Sequence, residues 1–262
     1  MNHCFATRVP TLPFALTAFV ALTFGVGCSI AQEESSVALM ARAQRALSEG
    51  DNGEAAKLAV SAAEAATDNY SILQAAGEVL YRAGRSKDSL KYFDRVVEMQ
   101  PRLAPYNWQR GLALCSVERF NDGAAQFKTH HDVNPDDVEN SAWYFLCIAK
   151  TEGIEAARKT VIPSRGDGRE PMMSVLGMLK DELKPEEVAQ AAIDNTKPGG
   201  SERKRAQFYA DLYIALYYDS LNQSDEAKRY LERSLEYGND GYMVDAARVY
   251  LKDRFGGPKK SK

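Results

Sequence analysis

The sequence predicts an all-α solenoid of about five helix–turn–helix repeats, with an irregular helical pair before the last repeat and a C-terminal capping helix. Three observations predict it. Gly77, Phe93 and Pro101 recur 34 positions on as Gly111, Phe127 and Pro135, and a fixed period of this length marks stacked helical hairpins. Prolines stand where the second helix of a hairpin should stop, because proline cannot continue a helix. No segment carries a convincing strand pattern.

The elements follow in order. Residues 1–31 read as an export signal. Arg8 is the one full side-chain charge in residues 1–13, and residues 14–26 are an unbroken run of apolar, threonine and glycine residues. The run is too short to span a bilayer, which takes about 20 residues in a helix, but it suits the core of a secretory signal. Two endings compete. Ser29 and Ala31 supply small residues for cleavage before Gln32, while Gly27-Cys28-Ser29 offers a processing site at which Cys28 becomes a lipidated first residue. Gly25 stands where such a site usually has leucine, and an uncleaved anchor is a third arrangement.

Residues 36–160 read as four repeats, with copies at 36–69, 70–103 and 104–137 and a fourth at 139–160. A period of 34 is that of tetratricopeptide-type hairpins. Gly77 and Gly111 are expected to let the two helices of a hairpin approach closely. Ala55 and Ala62 answer from the second helix of the first copy, and Ser89 and Gly123 hold the place of Ala55 further on. Phe93 and Phe127 are expected to fill the space between neighbouring units. The turns fall at Gly50-Asp51-Asn52-Gly53, Ala83-Gly84-Arg85 and Glu118-Arg119-Phe120, then at Gly153 before Ala156-Ala157.

Residues 171–195 form the irregular pair: one amphipathic helix over 172–183, and another from Pro185, where proline suits a first turn. Lys197-Pro198-Gly199-Gly200-Ser201 is a connector. The last repeat and capping helix occupy 206–255, with Ala227 at the small position and Leu231 at the packing position. A solenoid needs such a cap because its terminal face has no neighbour. Residues 256–262 read as a frayed basic tail.

Charge narrows the function. The whole chain carries −3, and removing residues 1–31 takes away one basic and no acidic side chain. Such a chain lacks the basic field that nucleic-acid binding requires, so nucleic acid is not expected as a partner. A membrane is reached only through a lipid anchor at Cys28. Outside the signal, Cys115 and Cys147 remain, on first-type helices of adjacent repeats but about one turn out of register. In an oxidising compartment they would be candidates for pairing; otherwise they are small buried apolar residues.

Catalytic motifs are missing. His130 and His131 are neighbours whose side chains diverge by about 100° on a helix, which suits no shared metal. There is no Gly-x-Ser-x-Gly, phosphate loop or His-Glu-x-x-His. Arg165-Gly166-Asp167 spells an adhesion tripeptide within a loop, 163–169, whose composition alone explains it. No enzyme activity, catalytic residue, metal or cofactor is expected.

What remains is surface. Leu73, Ala76, Gly77 and Leu80 make the core stripe of the second repeat, and the stripe beside it, Gln74, Glu78, Tyr81 and Arg82, should face the concave side. The same register gives Trp108, Leu112 and Cys115, then Trp143, then Tyr209 and Leu212. Tyr81, Arg82, Trp108, Trp143 and Tyr209 are therefore the candidate protein-binding groove, since peptide grooves use aromatic anchors and arginine. The competing reading is that curvature covers these rings with another helix. Arg110, beside Gly111, reads as a bridge between repeats.

Arg110-Gly111-Leu112-Ala113-Leu114, Asn134-Pro135-Asp136-Asp137, Trp143-Tyr144-Phe145-Leu146 and the stretch from Phe208-Tyr209 through Tyr217-Tyr218 to Ala227 resemble the bacterial new lipoprotein I (NlpI) group over residues 70–251. That resemblance implies an all-helical, often homodimeric envelope adaptor that brings clients such as cell-wall hydrolases to a periplasmic protease. Together the residues and the resemblance give an exported, non-catalytic protein-binding scaffold in the periplasm or cell envelope. The alternative is a self-associating organiser of an envelope assembly without a specific client.

Overall fold

The computed structural model describes residues 34–256. The expected signal segment with Cys28, and the tail after Gly256, lie outside the described residues. Among the described residues every regular element is helical, and the helices pack as successive antiparallel hairpins. These are α1 Ser36–Ser48 with α2 Asn52–Glu64, α3 Tyr70–Arg82 with α4 Ser86–Met99, α5 Trp108–Ser116 with α6 Phe120–His131, and α7 Val138–Glu152 with a short α8, Ile154–Lys159. The irregular pair is α9 Met172–Leu179 and α10 Pro185–Asp194. Then come α11 Ser201–Ser220, α12 Ser224–Ser234 and α13 Tyr242–Phe255. None of the described helices is long and apolar enough to cross a membrane.

Side-chain caps set the starts of the first helices. Ser35, Asn69, Asn107 and Asp137 each accept from a backbone N–H in the first turn of α1, α3, α5 and α7, a bond that typically stabilises a helix by about 1 kcal/mol. The second helices α4 and α6 lack such a cap. Each instead places an arginine before the first turn, Arg85 and Arg119, bonded to the carboxylate three residues on at 2.8 and 2.7 Å.

The 34-residue period is also written in the backbone. Gly50, Gly84 and Glu118 occupy the same position in three successive turns and all have positive φ, +82°, +75° and +62°. Glycine adopts this conformation without steric penalty; Glu118 holds it as an ordinary residue, with its carboxylate bonded to Arg254.

Close approach within a hairpin repeats as well. A Cβ added at Gly77 would lie 2.6 Å from the Phe93 ring, and one at Gly111 2.6 Å from the Phe127 ring. These phenylalanines thus pack onto the glycine of their own hairpin, and Phe127 also reaches the next unit, as the sequence reading expected, by stacking on Trp143 of α7 at 6.4 Å. Gly123 serves another contact. Its missing side chain leaves room for the thiols of Cys115 and Cys147, which meet at 3.2 Å as free, buried groups rather than standing a turn apart. Arg110 bridges hairpins as expected from its position, bonding Asp94 of α4 at 2.7 Å and Gln126 of α6 at 3.1 Å.

The core falls into two parts. The first hairpin packs on alanines, Ala43, Ala46, Ala55, Ala59 and Ala62 among them, whereas the second and larger part is rich in aromatic rings and runs from Tyr81 to Leu251. The principal correction concerns α13. It does not stop at the end of the stack as a cap. It packs on α12 and then crosses the inner faces of α3 and α5, with Tyr250 reaching Trp143 of α7 and Asp219 of α11. Two smaller differences are that α9 stops at Leu179 and α11 starts at Ser201, inside the expected connector.

Candidate functional site

The inner-face register brings four of the five expected groove residues together, but onto α13 rather than into solvent. Tyr81 is 0% exposed, and its ring stacks on Tyr242 at 6.1 Å. Arg82 pairs with Asp245 at 2.7 Å and lies over the Tyr242 ring. Trp108, half-buried, meets the same ring edge-on at 4.9 Å. Trp143 is 1% exposed, between Tyr250 at 5.3 Å and Phe127 at 6.4 Å. Tyr81 and Trp143 are therefore core residues and not exposed anchors. Burial pushes the Tyr81 hydroxyl above its ordinary value. Tyr209 stands apart from this group, stacked on Tyr213 with the Arg169 guanidinium 6.0 Å from its ring.

Asp219 anchors the far end of α13. It is 0% exposed and accepts from Tyr250 at 2.6 Å, Lys150 at 2.7 Å and Arg254 at 3.2 Å. Burial alone would raise its carboxyl; the bonds from Arg254, Lys150 and Tyr250 outweigh burial and hold it below the usual carboxylate range.

α13 leaves part of the inner face open. Beside its first turn is a cavity of about 250 Å³, walled by Trp108, Leu112, Phe127, Trp143 and Met243, with Asn134, Asp137, Glu139 and Arg169 towards solvent. Asn140 and His130 complete the lining. Three buried polar atoms here have no hydrogen-bond partner: Nδ2 and Oδ1 of Asn140, and Nε1 of Trp143. Nδ1–H of His130 donates to the Pro105 carbonyl at 2.8 Å, which leaves its other nitrogen as an acceptor. The neighbouring His131 has a buried, unpartnered Nδ1 of its own and does not line the cavity.

The charged rim is organised by Arg169. Its guanidinium bonds Asp137 at 2.7 Å and also Asp167 and Glu139, and the Tyr213 hydroxyl donates to the second oxygen of Glu139. Burial pushes the Glu139 carboxyl up to about 7, with the Arg169 charge opposing it. Burial also pushes Tyr209 up to about 12. For Asp167 burial is outweighed by its bonds to Arg169 and to the Val138 N–H, so its carboxyl lies below the ordinary value. The adhesion tripeptide is accordingly tied down: Arg165 pairs with Asp136 at 2.9 Å, and the Asp167 side chain is only 6% exposed.

Sequence reasoning missed Asn140, Glu139 and Arg169. The available signal was a lone asparagine in an apolar helical stretch, Asn140 to Ala149, three residues before a tryptophan. It also missed Tyr70 and Tyr106, which are 39% and 61% exposed over a separate depression of about 400 Å³ beside α3. Among the described residues no group of three or more His, Cys, Asp or Glu is arranged to hold a metal. Comparison with protein-family models and with curated proteins returns no match.

Proposed function

We propose that the protein is a non-catalytic scaffold of tetratricopeptide-type hairpins that recognises a polypeptide at the cavity beside α13. The repeat type is supported by the shared period of the Gly77–Phe93 and Gly111–Phe127 contacts and of the left-handed turn residues. One observation carries the binding role. The carboxylates at the cavity mouth are held by Arg169 and Tyr213, while the uncharged donors and acceptor inside, on Asn140 and Trp143, are free. Rings and unpaired neutral groups suit recognition more than proton transfer.

Glu139, with a proton affinity near neutral pH, favours an acid–base enzyme as a second reading. Against it, both Glu139 oxygens are engaged. In the resemblance-based setting the scaffold is an exported envelope adaptor that brings a client to a processing enzyme. The alternative of self-association is favoured by the exposed Tyr70 and Tyr106.

Site-directed photocrosslinking tests the reading. A crosslinking residue at Asn134, at the cavity mouth, is expected to capture discrete polypeptides from cells. The same probe at Lys57, on the exposed face of α2, should not. Identical adducts from both positions, or none from Asn134, overturn it. A dimer-sized adduct containing only this chain supports self-association instead.

A further inference from the structure

We propose that the cavity is a receptor for an uncharged amide group, gripped by Asn140 and Trp143. The inference rests on the binding reading above and names the chemistry that the site takes. Asn140 and Trp143 are three residues apart on α7, so they share a helix face, and both line the cavity. They are 3% and 1% exposed; the asparagine amide is unpartnered at both ends and the indole N–H is unpartnered too. Because these atoms have almost no accessible surface, a ligand meets them once the two side chains turn toward the cavity.

A buried polar group without a partner destabilises a fold, and an apolar residue of the same shape removes that penalty. Leu112 and Phe127, on facing helices, show that the surroundings would accept one. The polar atoms therefore belong to a state in which something else completes them.

Their pattern selects the ligand. A carboxamide presents one acceptor and one donor side by side and pairs with both ends of Asn140, while a second carbonyl takes the Trp143 N–H. A carboxylate would set an oxygen against Asn140 Oδ1, close to Asp137 and Glu139. An ammonium would satisfy Oδ1 but leave both N–H donors, Asn140 Nδ2 and Trp143 Nε1, without acceptors. Exchanging the two ends of the asparagine amide changes nothing, since both are free. A volume of about 250 Å³ accommodates one residue-sized group, and Trp108, Leu112, Phe127 and Met243 offer it an apolar lining. A peptide residue in extended conformation meets these demands, because its own N–H and C=O point the same way across Cα, and it brings an aliphatic side chain. A small N-acylated amino-acid amide has the same chemistry.

The chain holds two tryptophans, so the indole N–H region of a nitrogen–proton correlation spectrum contains two signals, and Trp108→Phe assigns them. N-acetyl-leucinamide, N-acetyl-leucine and leucinamide are titrated into the full chain together with a blocked alanyl-leucyl tetrapeptide amide. The Trp143 signal should move with N-acetyl-leucinamide, and the two charged compounds should bind at least tenfold more weakly. Asn140→Leu should lose the response tenfold or more while melting at or above the parent temperature. Tighter binding of the tetrapeptide identifies a partner chain as the source; equal binding identifies a small amide.

The proposal is overturned if no amide moves the Trp143 signal at millimolar concentration, or if Asn140→Leu responds like the parent. It is also overturned if Asn140→Leu melts well below the parent, because the asparagine then serves the fold through trapped water. Crosslinking from Asn134 with a silent titration would retain the scaffold reading and remove only the amide chemistry.

Discussion

Arg82 and Asp245 lie 163 residues apart in the chain and meet at 2.7 Å. With Ser86 donating to Asp253 and Lys252 to the Gly84 carbonyl, they clamp α13 across the second hairpin. The clamp covers apolar surface, so the ion pair alone is a modest part of it. Asp245→Ala should lower stability by about 1 kcal/mol, as partly exposed pairs do. Ending the chain before Gly241 should abolish the cooperative thermal transition followed by circular dichroism. A truncated chain that melts like the parent would show that α13 is only an appendage.

Gly111→Leu should wedge α5 from α6. The first added carbon already falls 2.6 Å from the Phe127 ring, and overpacking of this kind destabilises by about 1–3 kcal/mol. Adding Phe127→Leu should recover part of the loss, since the obstructing ring is gone. Chemical denaturation of the single and double variants checks both expectations.

Replacing Tyr81 and Trp108 together by alanine should damage the fold. Tyr81 is wholly enclosed, and a buried aromatic truncated to alanine loses roughly 3–5 kcal/mol; half-buried Trp108 adds less. A melting curve close to the parent's would contradict the packing of both rings against Tyr242.

Glu139 should make stability fall as pH rises from about 4.5 to about 7. Its carboxyl holds a proton more tightly in the folded chain than in the unfolded one, so within that window the native state binds more protons. Stability then decreases with pH, and the contribution is complete below the window and gone above it. Asp219 and Asp167, with lowered values, act oppositely and at lower pH. Melting temperatures from pH 4.5 to 7.5 should show a shallower decline for Glu139→Gln than for the parent. Equal slopes would remove Glu139 as the cause.

The thiols of Cys115 and Cys147 should be silent in the folded protein. Both are fully buried, and burial pushes the Cys147 thiol well up, so little thiolate exists to attack a reagent. Labelling should occur only as α5 and α7 separate, at a rate that follows unfolding. Rapid labelling of the native chain would show that this interface opens locally.

What could be read from the sequence was what depends on near neighbours. Gly77 and Phe93, or Gly111 and Phe127, lie within one hairpin, so their spacing carries the contact that they make. The turn at Glu118 could be placed for the same reason, although a glutamate gives no hint of a left-handed backbone. Trp143 is different: its burial depends on Tyr250, more than a hundred residues away, and no periodicity links the two. The concave register was legible for Tyr81, Arg82 and Trp108, but what lies against them was not. Residues 242–255 read as a helix wherever they dock. Asn140 was hidden for another reason, because an unpaired amide is recognised only once the neighbours that fail to bond it are known.

The position of α13 also governs when the molecule can finish folding. Hairpins stacked in a row can form one after another as they leave the ribosome, since each needs only its neighbour. Here the rings of Tyr81 and Trp143 stay uncovered until residues 242–255 arrive to seal them, a closure of high contact order. The alanine-rich core of the first hairpins can form early, whereas the aromatic core waits for α13. A chain stopped before Tyr242 would leave no serviceable shortened scaffold, only an open, sticky intermediate for proteases to remove.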